Sequence, residues 1–184
     1  IVDIGEAGTP NLQSTTYYQG DKGDEVSDYS LNYQVGTSTI KNTSVFVYGD
    51  TFLRAISAGT ELAMTRSLSY KTVNGVAKAI NSPTDSFYNA SGEITDADKL
   101  QSETYYYGSI RGDEIAHYAY NMRLSTTSVR NVSVYYYDDK TADQDGVTSD
   151  TKMNMSKTFK TGSFDSIVDI GEAGTPNLQS TTYY

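Results

Sequence analysis

The chain has one His and no Cys, so any metal chemistry must come from its carboxylates. The segment DDKTADQDG sets Asp138, Asp139, Asp143 and Asp145 ahead of Gly146. Closely spaced carboxylates before a glycine are what a tight loop uses to wrap hard oxygen ligands around Ca2+. These four Asp are the candidate calcium ligands; the plainer reading is a solvated polar loop. The loop lacks the closing Glu of an EF-hand, and the matching stretch elsewhere, GDTFLR, keeps only Asp50. No other cofactor is indicated.

Four Asn stand in the N-x-S/T pattern of glycosylation acceptors: Asn42, Asn89, Asn131 and Asn154. With Ser and Thr this abundant, about three would arise by chance. Asn42 and Asn131 carry more weight because they occupy matching places, each just ahead of a strand. Glu25, Asn32 and Lys71 also recur, as Glu114, Asn121 and Lys160, the residue types of an acid-catalysed Lys–Asn cross-link. Strand alternation points Asn32 and Lys71 to solvent, where no unprotonated Lys is expected, and so argues against the cross-link.

His117 has no second His to share a metal and no Ser in a recognisable nucleophile motif; it reads as a surface residue of its strand. Arg111-Gly112-Asp113 spells the integrin tripeptide, but its counterpart is Lys22-Gly23-Asp24, and a turn explains both. The Tyr clusters at 17–18, 105–107 and 135–137 have faces that stack on sugars, although strand cores and module interfaces are the commoner use. No paired-carboxylate, triad or phosphate-loop pattern stands out, so no enzymatic activity is expected.

The elements carrying these residues repeat. IVDIGEAGTPNLQSTTYY occurs at 1–18 and again, letter for letter, at 167–184, which defines a 166-residue unit (167 − 1). Inside it lies an older repeat. LQSTTYYQGDKGDE from Leu12 aligns with LQSETYYYGSIRGDE from Leu100 at an offset of 88, becoming 89 after one inserted residue. From there Asp24 falls on Asp113, Asn42 on Asn131, Met64 on Met153 and Tyr70 on Phe159. The divisions are 1–11, the tail strand of a preceding module plus a linker; 12–99, a first module; 100–177, a second module with its closing strand and linker; and 178–184, the start of the next repeat.

Period-two alternation dominates. Tyr29, Leu31, Tyr33 and Val35 alternate with Asp28, Ser30, Asn32 and Gln34, and Tyr118, Tyr120, Met122 and Leu124 do the same in the second copy. A helix would need apolar positions three and four apart. These eight residues are therefore expected inside, with Asn32, Asn121, Lys71 and Lys160 outside. SVFVY and SVYYY read as central strands, and Asn74-Gly75 as a tight turn into a strand VAKAI. The ambiguous 51–64 stretch, with room for one helical turn, reads as an insertion. The expected fold is all-β: two tandem antiparallel β-sandwich modules of immunoglobulin-like size, forming an extended rod.

A net charge of −9 and a pI near 4.5 disfavour nucleic acid and anionic membranes, and no apolar run is long enough for a helical membrane span. Absence of Cys suits an extracellular or cell-surface setting. Ile1, Val2 and Ile4 repeat the closing-strand residues Ile167, Val168 and Ile170, so they are expected to be an assembly strand that completes a neighbouring module. The function expected is a structural building block of an extracellular filament, stalk or surface fibre, its partner being itself, head-to-tail, as a covalent array or a strand-exchanged polymer. The alternative is a tandem-module adhesin or carbohydrate-binding surface protein that meets surface glycans.

Overall fold

The computed structural model describes residues 12–160 and 177–184. The strands are β1 (Ser14–Gln19), β2 (Val26–Tyr33), β3 (Ile40–Tyr48), β4 (Met64–Lys71), β5 (Leu100–Tyr107), β6 (Ile115–Met122), β7 (Val129–Tyr137), β8 (Lys140–Thr141), β9 (Met153–Lys160) and β10 (Leu178–Tyr183). The one-turn helix α1 (Ala55–Ala58) falls in the stretch read as an insertion. β2, β3 and β4 begin and end 89 positions before β6, β7 and β9, as the internal repeat requires.

In place of two sandwiches, the described residues form one antiparallel sheet that is not closed. Its order is β1-β2-β3-β4-β5-β6-β7-β9-β10, with β8 beside β7. The reason is the module boundary: β4 hydrogen-bonds directly to β5, so each module contributes a four-stranded meander to a shared sheet. The apolar face is covered not by a second sheet but by connecting chain. Phe87 and Tyr88, from the 72–99 connection, pack on Val45, Val47, Leu68, Tyr70, Leu100 and Met122. Fully burying one such side chain contributes about 1.5–3 kcal/mol.

Directly opposed residues share a face. One row crosses the sheet as Tyr29, Val45, Leu68, Glu103, Tyr120, Val132 and Phe159. The adjacent row, on the other face, is Ser30, Ser44, Ser69, Ser102, Asn121, Asn131 and Lys160, a ladder of short polar side chains that ends in a lysine. The alternation thus marks two faces, but it overstates burial near the sheet's margin. Tyr29, Leu31 and Tyr33 are half-buried because, among the described residues, β2 lies next to the outermost strand and no second layer covers them. Tyr118 and Tyr120 are half-buried too, whereas Met122 is buried as expected.

Val35 and Leu124 are corrected outright. Both lie in β-turns beyond their strands and are 80% and 45% exposed. Asn32 and Asn121, expected outside, are half-buried within the polar ladder, where Asn32 Nδ2 donates to Asn42 Oδ1 at 2.6 Å. Lys71 and Lys160 are exposed as expected. The Asn74-Gly75 turn forms with both residues at positive φ, the signature of a type I′ turn, and Val73 and Val76 exchange backbone hydrogen bonds. The expected strand VAKAI does not follow it.

Candidate functional site

The richest constellation of side chains lies where the modules meet. β4 pairs with β5 with Ser67, Ser69, Ser102 and Thr104 on the polar face, while Leu68 and Tyr70 are buried on the other. On that face Arg66 of β4 sits opposite Tyr105 of β5, and its Nη1 donates to Glu103 Oε1 at 3.3 Å. Aromatic rings surround the guanidinium: Phe52 at 4.2 Å, Tyr105 at 4.6 Å and Tyr88 at 5.1 Å. Tyr88 Oη also donates to Glu103 Oε1, at 2.8 Å. Burial pushes the Glu103 carboxyl above its usual range, and the hydrogen bond from Tyr88 and the charge of Arg66 pull it partly back. A cleft of about 470 Å³ opens beside it, lined by Glu93, Ile94, Glu103, Tyr105, Tyr120 and Met122.

At one end of this junction the loops interlock. Glu114 Oε2 accepts from Gly112 N–H at 2.8 Å within its own turn, and Oε1 accepts from Met64 N–H at 2.6 Å across the boundary. Arg111 donates through Nη1 to Thr60 O at 2.7 Å and through Nη2 to Glu25 O at 2.6 Å. The integrin-like tripeptide is thus a turn whose Arg holds the first module.

Each module also sets a side chain of its bulged strand against one of its loop, and the basic and acidic members are swapped between modules. In the first, Arg54 Nε donates to Asp28 Oδ1 at 2.9 Å and Nη2 lies 2.7 Å from the same oxygen, while Asp28 Oδ2 has no hydrogen-bond partner among the described residues. Eighty-nine positions on stand His117 and Asp143, with Nε2 3.2 Å from Oδ1. His117 is therefore not the surface residue expected. Burial lowers its pKa, opposed by the nearby charge of Asp143.

The acidic loop distributes its carboxylates. Asp139 Oδ1 accepts from Asn154 Nδ2 and Asp143 Oδ1 from Thr141 Oγ1, while Asp145 takes Lys140 through its backbone oxygen. Asp138 and Asp139 both adopt positive φ. Among the described residues no group of three or more His, Asp or Glu side chains is placed to hold a metal ion.

The sequon residues divide between sheet and loop. Asn42 meets Asn32 and Asn131 meets Gln179 on the polar face. Asn89 closes a turn with Glu93, and Asn154 meets Asp139. Ile1, Val2, Ile4, Ile167, Val168 and Ile170 lie outside the described residues.

Sequence reading missed both ion pairs, because alternation assigned Asp28 and Glu103 no partners. For Asp28 a signal existed: between aligned modules Asp28 becomes His while Arg54 becomes Asp, a compensated exchange inside one chain. Comparison with known proteins finds no matching family model, no matching characterised protein and no matching solved structure.

Proposed function

We propose that this chain is a non-enzymatic building block of an extracellular filament, stalk or surface fibre, extended by repetition of its 166-residue unit. The observation that carries the proposal is the recurrence of one register. Inside the unit β4 meets β5 through Tyr70–Leu100, Ser69–Ser102, Leu68–Glu103, Ser67–Thr104 and Arg66–Tyr105. At its end β9 meets β10 through Phe159–Leu178, Thr158–Ser180, Lys157–Thr181, Ser156–Thr182 and Met155–Tyr183. These are equivalent positions, with the irregularity in the same place. β10 repeats the sequence of β1, so the second contact is a unit meeting the next one's first strand. Such a sheet has no built-in stop, and stacking like modules with reused contacts is how repeat proteins make length. The extended rod belongs to this reading.

Electron microscopy of a polypeptide containing several units tests it. Unbranched filaments of constant width that lengthen with unit number are expected; compact particles of fixed length would refute it.

The cleft of Tyr105, Tyr120 and Glu103 supports the alternative of an adhesin or carbohydrate-binding surface protein, since aromatic faces beside a carboxyl suit sugar rings. Glycan-array binding that is lost in Tyr120→Ala would favour it.

A further inference from the structure

We infer that the polar face of the sheet binds an extended, uncharged β-1,4-linked glycan, whose sugar rings stack on a row formed by Phe46, Tyr106 and Tyr135. Such a surface is independent of filament growth. It rests on the carbohydrate-binding alternative, and gives it a ligand class and a face other than the cleft of Tyr105 and Tyr120.

The strand register builds the row. Phe46 of β3 faces Ser67 of β4, and Ser67 Oγ lies 3.2 Å from Tyr106 Oη of β5. The Tyr106 ring therefore lies across β4 and β5 instead of standing off the sheet, and turns a ring face outward. The second module repeats the arrangement: Tyr135 of β7 faces Ser156 of β9, and Ser156 Oγ lies 3.2 Å from Tyr184 Oη. Burial and the nearby Tyr106 hydroxyl push the Tyr135 phenol above its usual pKa, so the two rings are neighbours. Phe46, Tyr106 and Tyr135 are all half-buried, which leaves each ring partly open to solvent. The 72–99 connection packs on the opposite face, around Leu68 and Tyr70.

Spacing, polarity and twist select the ligand. β3, β5 and β7 are alternate strands of the sheet, so at about 4.8 Å per strand their aromatic residues recur about every 9.6 Å across it. That is close to the length of one disaccharide in an extended β-1,4-linked chain, in which alternate sugars present the same apolar face. Beside the rings, the ladder from Ser44 to Asn131 and the row Ser67, Thr104, Ala119 and Ser133 offer hydroxyl and amide groups to sugar hydroxyls. Neither holds a charge, although the chain carries −9 overall, and an uncharged surface suits a neutral glycan. Because sheets twist by about 20–25° per strand, the row fits a single soluble chain that can twist with it, not the flat face of a crystalline polysaccharide.

The test titrates the full chain with cellohexaose, chitohexaose and, as a control, maltohexaose, whose α-1,4 links curl the chain. One of the β-1,4 hexamers should bind at least about tenfold more tightly than its disaccharide, since each added disaccharide reaches another ring. Which of the two binds identifies the sugar. Tyr106→Ala and Tyr135→Ala should each weaken binding by about tenfold, Tyr106→Phe, which keeps the ring, by much less, and Tyr120→Ala not at all. In the unmutated chain, NMR separates the faces. The Asn121 side-chain amide, which donates to Ser133 Oγ on the polar face, should shift on adding the hexamer, while the Met122 methyl on the other face should not. No binding of either β-1,4 hexamer at millimolar sugar, equal binding of maltohexaose, or shifts confined to Met122 with loss in Tyr120→Ala overturns this surface. The last result leaves the carbohydrate-binding reading standing at the cleft, whereas a blank glycan array as well removes both. A concentration-dependent dimer abolished by Tyr106→Ala would place a second copy on this face and also overturn it.

Discussion

Replacing Arg54 by Met should be among the most damaging single changes in the molecule. Asp28 is 0% exposed, and among the described residues Arg54 supplies its only ion partner, at side-chain exposures of 1% and 4%. The same guanidinium donates to Asp85 O at 3.2 Å and lies 5.2 Å from the Phe87 ring, so it ties β2 to the 72–99 connection as well. Removing one partner of a buried pair strands a charge in low dielectric and costs about 3–5 kcal/mol. With an m-value of about 2 kcal/mol per molar, the urea midpoint should fall by about 1.5–2.5 M. The chain has no Trp, so tyrosine emission and far-UV circular dichroism are the probes. The double change Asp28→Leu with Arg54→Met removes both charges and should recover wild-type stability or exceed it, as buried pairs replaced by apolar residues do. A loss below about 1 kcal/mol in Arg54→Met, or no rescue by the double change, would refute the claim that Asp28 is a buried charge dependent on Arg54.

His117 should give a separable pH effect. Its folded pKa lies below the usual 6.5, so the unfolded chain binds the proton first, and its contribution is lost as pH falls from about 6.5 through the folded value. His117→Asn should remove that slope from urea midpoints measured across pH, and Asp143→Asn, which deletes the opposing charge, should steepen it; equal slopes in wild type and His117→Asn would count against this. Arg66→Met should destabilise by about 3 kcal/mol near pH 7.5 and by less near pH 5, because Glu103, already raised by burial, can take a proton; a pH-independent deficit would contradict the buried pair. Gly20→Ala should cost more than Gly23→Ala in thermal melts. At Gly20, φ is +107° and an added Cβ would meet Asp24 O at 2.6 Å, whereas at Gly23 φ is +96° with open space; the expected losses are about 2 and 1 kcal/mol.

Strand positions were legible because period-two alternation is a property of each strand by itself, and because the internal repeat reports the same boundaries twice. Sheet topology was not. Whether β4 turns back into its own module or pairs with β5 depends on contacts between segments about thirty residues apart, and Ser67, Ser69, Ser102 and Thr104 are equally at home on a solvated face. Burial failed at β2 for a related reason: Tyr29, Leu31 and Tyr33 mark a face, but only the neighbouring layer decides whether that face is covered. Asp28 shows a further limit. It sits where the β1–β2 register shifts, between Tyr17–Tyr29 and Tyr18–Ser27, and a bulged residue escapes the alternation rule. The interlocking loops were half-visible, since GDE recurs at 23–25 and 112–114, but nothing local says that Glu114 caps a strand of the other module.

The central claim is that successive units extend one continuous sheet, and small-angle scattering from polypeptides of one to four units tests it most directly. The path β1 to β7 plus β9 places eight strands in each unit before β10 begins the next. At about 4.8 Å per strand the maximum dimension should grow by about 38 Å per unit, less any coiling of the sheet. A string of two separate sandwiches per unit, each with a radius of gyration near 13 Å and so about 34 Å across, would add about 68 Å. An increment near 38 Å or slightly below is the result expected. An increment near 68 Å, or a dimension that stops growing as the sheet closes on itself, would contradict the account.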